Sequence, residues 1–464
     1  MDNNKDIAII GGGPGGYLAA LRAAQLGRKV VLFEEDRIGG TCMNYGCIPT
    51  KYLLHQTKIL KEVRETKTVT GGEAVGLDWT AVQNGRQAVV DRLVRGIEFL
   101  LEKSGAEIVK GRARLEDAGR IVVETADGPR TRTAGAVILA TGSRTASLPF
   151  LAPNGAEVVT STEALAFAEV PNSLLVIGAG AIGLEMGSIY RRLGTDVTVL
   201  EILPGITPGS DKETATRLER ALKKQGLKLL TEMSISGAEV GPGKVTLRGT
   251  NLKTKAPFEY SAARVLLAAG RRPNSEDLAA DGLLTLGRGG HVAVNERLET
   301  GTPGVYAIGD LIGGKLLAHK AFHDAIVAVE NACGMNRTVD YRALPMAVFT
   351  DPEFASVGLT QEEADAKGLK VRSGVFPLQA SGRALTMDSL DGLVKVLADG
   401  SDRVVGAHIV APGASEMIHE LALAVSRGAT LGEIGGLIHI HPTLSETIGE
   451  AALKAKNEAL HILN

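Results

Sequence analysis

The run Asp6-Ile7-Ala8-Ile9-Ile10-Gly11-Gly12-Gly13-Pro14-Gly15-Gly16 joins an apolar strand pattern to a glycine-rich turn. Next come a helix pattern, Tyr17–Leu26, closed by Gly27, and a second strand, Lys29–Phe33, ending at Glu34. A G-x-G-x-x-G turn between strand and helix, with an acid after the next strand, marks a dinucleotide-binding unit. Gly11, Gly13 and Gly16 let backbone N–H groups approach a pyrophosphate at the helix N-terminus, and Glu34 can accept from a ribose. The unit recurs. Strand Leu174–Ile177 leads into Gly178-Ala179-Gly180-Ala181-Ile182-Gly183, then a helix ending near Gly194 and strand Asp196–Leu200 before Glu201. The acid follows the first glycine by 23 positions in each copy (34 − 11 and 201 − 178). The closing glycine follows by 16 (27 − 11 and 194 − 178). One such turn is a weak signal; two in register predict an α/β chain with two dinucleotide sites, formed by Gly11, Gly13, Gly16 and by Gly178, Gly180, Gly183. Glu201 would repel a 2′-phosphate but can bind a free 2′-hydroxyl, which favours NAD over NADP. Arg191 and Arg192 read as a solvated helix face.

Composition sets the outer limits. A chain of 464 residues suits about three domains of roughly 150 residues each. Its formal net charge of −2 implies affinity for neither nucleic acid nor membrane surfaces. The most apolar window, Leu174 to Tyr190, is broken by four glycines and Glu185 and makes a poor membrane span. The first residues lack the basic region and cleavage pattern of a signal peptide and are too short and acidic for a transit sequence. A cytoplasmic setting is expected, where a disulfide is more often catalytic than structural.

Two of the three cysteines stand in Gly39-Gly40-Thr41-Cys42-Met43-Asn44-Tyr45-Gly46-Cys47-Ile48-Pro49-Thr50-Lys51. Residues five apart on a regular helix do not share a face. To bring the two sulfurs together the backbone between them must be irregular, which Gly46 and Pro49 allow. No further metal ligands lie nearby, so a redox-active pair is favoured over half a zinc site or two buried thiols.

This segment closely resembles the active-site segment of the FAD-dependent pyridine nucleotide-disulfide oxidoreductases, and the resemblance covers nearly the whole chain. It implies two Rossmann-like domains, for FAD and NAD, plus a C-terminal α+β dimer-interface domain. The implied bounds are 1–148 (FAD, first part), 149–271 (NAD), 272–343 (FAD, return) and 344–464 (interface). It implies a Cys42–Cys47 disulfide, with Cys42 the more exposed sulfur and Cys47 beside the flavin. Thr41 would adjoin the cofactor and Lys51 the flavin N5. Glu185 would pair with that lysine, although by itself it reads as a solvated helix acid. Thr141, Gly142 and Gly270 fall in two strand-to-loop crossings, Gly135–Ile138 with Ala140-Thr141-Gly142-Ser143 and Val265–Ala268 with Ala269–Asn274, that would lie beside the dinucleotides.

In Thr302–Asp310 the aspartate would hold a ribityl hydroxyl; without the resemblance it reads equally as a helix cap. Ala318, in Ala318-His319-Lys320-Ala321, would lie against the flavin ring. Phe322-His323-Asp324 departs from the family pattern at this edge, and His323 reads as structural. Cys333 reads as buried and inert.

From Pro345 onward the pattern changes to strands, among them Gly392–Ala398 and Val404–Val410, and to helices Ala414–Arg427 and Thr447–Leu460. His439-Ile440-His441-Pro442-Thr443-Leu444-Ser445-Glu446 is the informative part. On spacing alone Thr443 and Glu446 form a capping box. The resemblance implies instead that Glu446 orients His441, which acts as acid–base group at the disulfide of the other subunit of a homodimer. His439 would line the approach or serve the core.

Leu444 and Ser445 resemble the lipoamide-oxidising members. The implied activity is oxidation of dihydrolipoamide on lipoyl domains of 2-oxo acid dehydrogenase or glycine-cleavage complexes, with FAD as cofactor, NAD+ as acceptor and no metal. Glutathione-reducing members are disfavoured by Glu201, and mercury-reducing members by the lack of a C-terminal cysteine pair. A flavoprotein with a scaffolding role is the third alternative.

Overall fold

Strand Ile7–Ile10 is buried along its whole length, and its residues alternate between two cores. Ile7 and Ile9 pack with Ala19, Ala20 and Ala23 of helix Pro14–Gln25 and with Ala325 and Ala328 of helix Ala318–Ala332. Ala8 and Ile10 pack with Leu115, Ile121 and Val123 of an antiparallel sheet on the other side. Burial on both faces is why the strand reads as an unbroken apolar run. The computed structural model describes residues 6–464. They form two compact units.

The first unit takes residues up to Leu53, Asp78–Ala146 and Gly270–Asp340. Its main sheet is wholly parallel, in the order Val305–Ala307, Ala136–Leu139, Ile7–Ile10, Val30–Glu34, Glu107–Lys110. The chain thus returns to this sheet after a long excursion. The first helix begins at Pro14, three residues before the expected Tyr17, with proline in its first turn, where a missing N–H costs nothing.

The second unit takes Leu54–Leu77, Ser147–Ala269 and Tyr341–Asn464. It repeats the parallel arrangement in the order Lys228–Leu230, Asp196–Leu200, Ser173–Ile177, Arg264–Leu267, Val158–Val159. It also holds an antiparallel sheet in the order Met346–Val348, Glu353–Gly358, Val404–Ala411, Leu393–Ala398, Arg372–Pro377. Ile418 and Leu421 of helix Ala414–Arg427, and Ile448, Ala451 and Ala452 of helix Glu446–Ala455, cover that sheet. The last helix stops at Ala455 rather than Leu460, and Asn457 beyond it has a positive φ of 61°.

Arg192 is not on a solvated face. Its Nη1–H donates to the Leu54 carbonyl at 3.3 Å, and burial lowers its pKa against the raising influence of Asp351. Neighbouring Arg191 donates to the carbonyls of Gln225 and Thr195.

Asp211 caps helix Lys212–Lys224 by accepting the Thr214 N–H at 3.2 Å, and it pairs with Lys395 of the antiparallel sheet at 2.8 Å. Both side chains are buried. Burial pushes the Asp211 pKa up, but the Lys395 ammonium beside it prevails and holds it below the usual range. Removing one partner of such a pair strands a buried charge at a cost of about 3–5 kcal/mol. Lys395→Met is therefore expected to lower the thermal midpoint markedly, and adding Asp211→Asn to recover part of the loss in the same melting experiment.

Candidate active site

The two glycine turns are built alike. Gly11 and Gly178 have φ of 103° and 107°, and a Cβ on either would lie 2.5 or 2.4 Å from the carbonyl oxygen of Ala140 or Ala268. A Cβ at Gly16 or Gly183 would lie 1.7 or 2.0 Å from the carbonyl oxygen of its own first glycine. Gly13 and Gly180, by contrast, are helix N-caps with no side-chain cap. A Cβ there meets nothing closer than 4.0 Å at Gly13 and nothing within 4 Å at Gly180. Open space over uncapped N–H groups suits a pyrophosphate, so the residues fit two dinucleotides.

Glu34 accepts the N–H groups of Gly12 (2.6 Å) and Asp36 (2.7 Å); Glu201 accepts those of Ala179 (2.7 Å) and Leu203 (2.9 Å). Each acid clamps its own turn, a duty that the motif alone does not reveal. A carboxylate has about four acceptor sites, so a ribose hydroxyl can still be taken. Burial raises the Glu34 pKa, and the two N–H donors oppose it.

The dithiol segment sits on the first of these turns. Gly39 N–H donates to the Gly12 carbonyl at 2.9 Å. A Cβ at Gly40 would lie 2.7 Å from Gly13 Cα. Buried Asn44 donates to the carbonyls of Ile38 and Gly40. Helix Gly40–Tyr45, starting just after Gly39, carries Thr41 and Cys42; helix Cys47–Glu65 carries Cys47 and Lys51. Gly46 between them, at φ −145° and ψ −111°, supplies the expected irregularity. Pro49 falls in the first turn of the second helix and distorts nothing.

The Cys42 thiol hydrogen-bonds with Cys47. That bond, burial and the Cys47 charge push its pKa up, and the Lys51 ammonium opposes them. Cys47 is the exposed residue and Cys42 is half-buried, the reverse of the expected order. The break at Gly46 sets Cys47 at the start of a new helix, whereas Cys42 lies inside the short one.

Thr141 Oγ1–H donates to the Asn274 carbonyl (2.8 Å) and Asn274 Nδ2–H to the Thr141 carbonyl (2.9 Å), which zips the two crossings together between Gly142 and Gly270. Asp310 lies within the turn Gly309–Ile312, where Ile308 is the N-cap, so it is not a helix cap. It accepts the Ser143 hydroxyl instead. Helix Ala318–Ala332 begins at Ala318. Two residues on, buried Lys320 pairs with Asp324 at 2.8 Å, and the pair holds Gly309 through its carbonyl (3.3 Å) and N–H (3.1 Å). The i,i+4 spacing of Lys320 and Asp324 was the available signal. Phe322 packs edge-on against Tyr17.

Glu185 is 4% exposed and accepts the Phe349 N–H at 3.0 Å. It is not a solvated helix acid. Cys333 is half-buried and receives Arg28 Nε–H at 3.3 Å.

His441 Nδ1 and Glu446 Oε1 are 2.8 Å apart, on a ring whose side chain is 81% exposed. Glu446 Oε2 accepts the Thr443 N–H at 2.7 Å. The capping box is not formed: Thr443 Oγ1–H donates to the Ile440 carbonyl, and Ser445 is the N-cap. His439 pairs with Glu420 at 3.2 Å and packs over Gly449 in a structural place. Among the described residues no group of three or more His, Cys, Asp or Glu side chains could hold a metal, and no helix is long and apolar enough to cross a membrane.

Residues 5–331 match the model of the pyridine nucleotide-disulphide oxidoreductases, and residues 344–452 match that family's dimerisation domain. The chain belongs to this family, and its fold is the family's mixed α/β fold. Within the family it is 41% identical over 466 residues to the mitochondrial dihydrolipoyl dehydrogenase of Pisum sativum, covering 99% of this chain and 93% of that one. The dihydrolipoyl dehydrogenase of Bacillus subtilis is 40% identical, with coverage of 99% and 100%. The crystal structure of LpdA from Mycobacterium tuberculosis superposes with a TM-score of 0.87 at 29% identity, covering 96% of this chain and 99% of that one.

Burial raises the Glu446 pKa, but the Thr443 N–H and the His441 ring outweigh it and leave the group below its ordinary value. A depressed folded pKa means that the contact is fully present above the unfolded value, about 4.3, and is lost as pH falls through the folded one. The Glu446 carboxylate signal, followed by NMR, is expected to titrate below the ordinary glutamate value. A midpoint above that would contradict the geometry.

Proposed function

We propose that this chain oxidises protein-bound dihydrolipoamide to lipoamide and reduces NAD+, as a homodimer with one FAD per subunit. The observation that carries this reading is the seating of the Cys42–Cys47 segment on the first glycine turn, through Gly39 and Gly40. That seating supports a position for the two sulfurs beside the cradle that fits FAD. The full-length relatedness to dihydrolipoyl dehydrogenases supports the substrate. Buried Glu201, held by two backbone donors, supports NAD over NADP. This also argues against a glutathione-reducing role.

Gly11, Gly13 and Gly16, with Glu34, Thr41, Thr141, Gly142, Asp310 and Ala318, would hold FAD. Gly178, Gly180, Gly183, Glu201 and Gly270 would hold the nicotinamide dinucleotide. The proposed domains are 1–148 with 272–343 for FAD, 149–271 for NAD and 344–464 for the interface. When bound, FAD accepts the electron pair of the dithiol and delivers it to NAD+.

The remaining chemistry belongs to the chain. His441 of the partner subunit, oriented by Glu446 of the partner subunit, takes a proton from dihydrolipoamide. The substrate thiolate attacks Cys42 in the Cys42–Cys47 disulfide, forming a mixed disulfide and releasing Cys47 as thiolate. The second substrate thiol displaces Cys42, its proton passing to the departing Cys42 sulfur, and lipoamide leaves. Exposed Cys47 would be the sulfur that meets the flavin when FAD is bound. Lys51, whose charge already acts on Cys42, would offset negative charge at the ring.

The dimerisation domain supports the two-fold assembly. So do Ile438, Ile440, Leu460 and Leu463, each at least 78% exposed in the single chain. Lipoyl domains of 2-oxo acid dehydrogenase or glycine-cleavage complexes would be the partners. Few cysteines and a dithiol that must be reducible fit the cytoplasm.

Cys42→Ser is expected to abolish NADH formation from dihydrolipoamide while FAD stays bound by absorbance. His441→Gln should lower kcat by about 10²–10⁴-fold. Full activity of the cysteine variant would refute the assignment.

A further inference from the structure

Asp310 is held by two residues to which the proposed reaction gives no task. Ser143 Oγ–H donates to Asp310 Oδ2 at 2.5 Å, and Arg271 Nε–H donates to that same Ser143 oxygen at 2.7 Å. Arg271 Nη2–H donates to the Ser143 carbonyl at 2.5 Å, and Arg271 Nε stands 3.8 Å from Asp310 Oδ2. Strands Ser143–Thr145 and Arg271–Pro273 pair antiparallel, with Arg271 opposite Thr145 and Pro273 opposite Ser143. The guanidinium therefore reaches Ser143 diagonally across a rigid ribbon. Its side chain is only 16% exposed, and two of its N–H groups are spent on one residue.

The direction of every bond in this chain of three is forced. A guanidinium has only donors and a carboxylate only acceptors. The Ser143 oxygen must receive the Arg271 hydrogen, so its single hydrogen must point elsewhere, and Asp310 Oδ2 is where it points. That bond fixes the carboxylate through Oδ2 and leaves Oδ1 to meet an incoming hydroxyl. Bonds that involve an ionised partner are the strong ones. Here one stands at each end of a neutral hydroxyl.

We propose that Arg271 and Ser143 are positioning residues for FAD: the fixed hydroxyl locks the Asp310 carboxylate so that Oδ1 accepts a hydroxyl of the ribityl chain. The inference rests on the reading that the first unit binds FAD. It differs from a general packing role because it requires Arg271 to act through the Ser143 hydroxyl. Removing either residue must then remove the same effect.

The test is FAD release from the full-length holoenzyme, followed by the rise in flavin fluorescence, with the thermal midpoint measured alongside. Ser143→Ala and Arg271→Met are each expected to speed release about tenfold, the loss of one charge-assisted bond. The double variant should release FAD no faster than the worse single variant, since residues in one network are not additive. Ser143→Thr, which keeps the hydroxyl, should release FAD at the original rate.

An effect of about a hundredfold in the double variant, the product of two independent tenfold losses, would overturn the relay. So would unchanged release in Ser143→Ala, or failure of Ser143→Thr to restore it. Should Arg271→Met not fold, the comparison of Ser143→Ala with Ser143→Thr still decides the matter. An unsubstituted chain that takes up no FAD would refute the cofactor reading itself, and that outcome precedes any variant.

Discussion

Helix Pro14–Gln25 can lie against the end of strand Ile7–Ile10 only because Gly16 lacks a side chain; a Cβ would come within 1.7 Å of the Gly11 carbonyl oxygen. That close approach aims the helix N-terminus at the space over Gly13. The dithiol segment then uses the backbone the turn exposes, with Gly39 bonded to Gly12 and Gly40 in contact with Gly13. The position of the two sulfurs is thus inherited from a contact between main-chain atoms.

The second copy shows the same scheme put to another use. Ala179, which corresponds to Gly12, gives its carbonyl to the N–H of Thr207 at 2.9 Å, as Gly12 gives its own to Gly39. In both copies the loop after the acid folds back onto the turn. In the first it continues into the cysteines. In the second it continues to Asp211 and the buried pair with Lys395. One duplicated backbone device therefore anchors the cysteine pair in one unit and a structural tie in the other.

What could be read from the chain was local. Both glycine turns, their acids, the cysteine pair and the Glu446–His441 spacing are encoded within short windows, and the structure builds elements there. Where the reading failed or was silent, the partner lay far away in sequence. Arg192 reaches Leu54 across 138 residues and Lys395 reaches Asp211 across 184, so neither helix-face periodicity nor charge pattern could reveal them. The Ser143–Asp310 bond spans 167 residues and was equally hidden. The capping box failed for another reason. Glu446 divides its two oxygens between His441 and the Thr443 N–H, while the Thr443 hydroxyl turns back to Ile440. The order of exposure of the two cysteines accompanies the helix break at Gly46, whose backbone conformation the residue types do not specify.

The two backbone donors on Glu201 bear on any attempt to retarget the coenzyme. Exchanging that acid for a basic residue would address the phosphate that distinguishes one nicotinamide dinucleotide from the other. It would also strip the Ala179 and Leu203 amides of their acceptor and slacken the turn proposed to hold the pyrophosphate. The carboxylate proposed to select the coenzyme is also part of the scaffold, so a swap of preference has to bring a replacement acceptor with it.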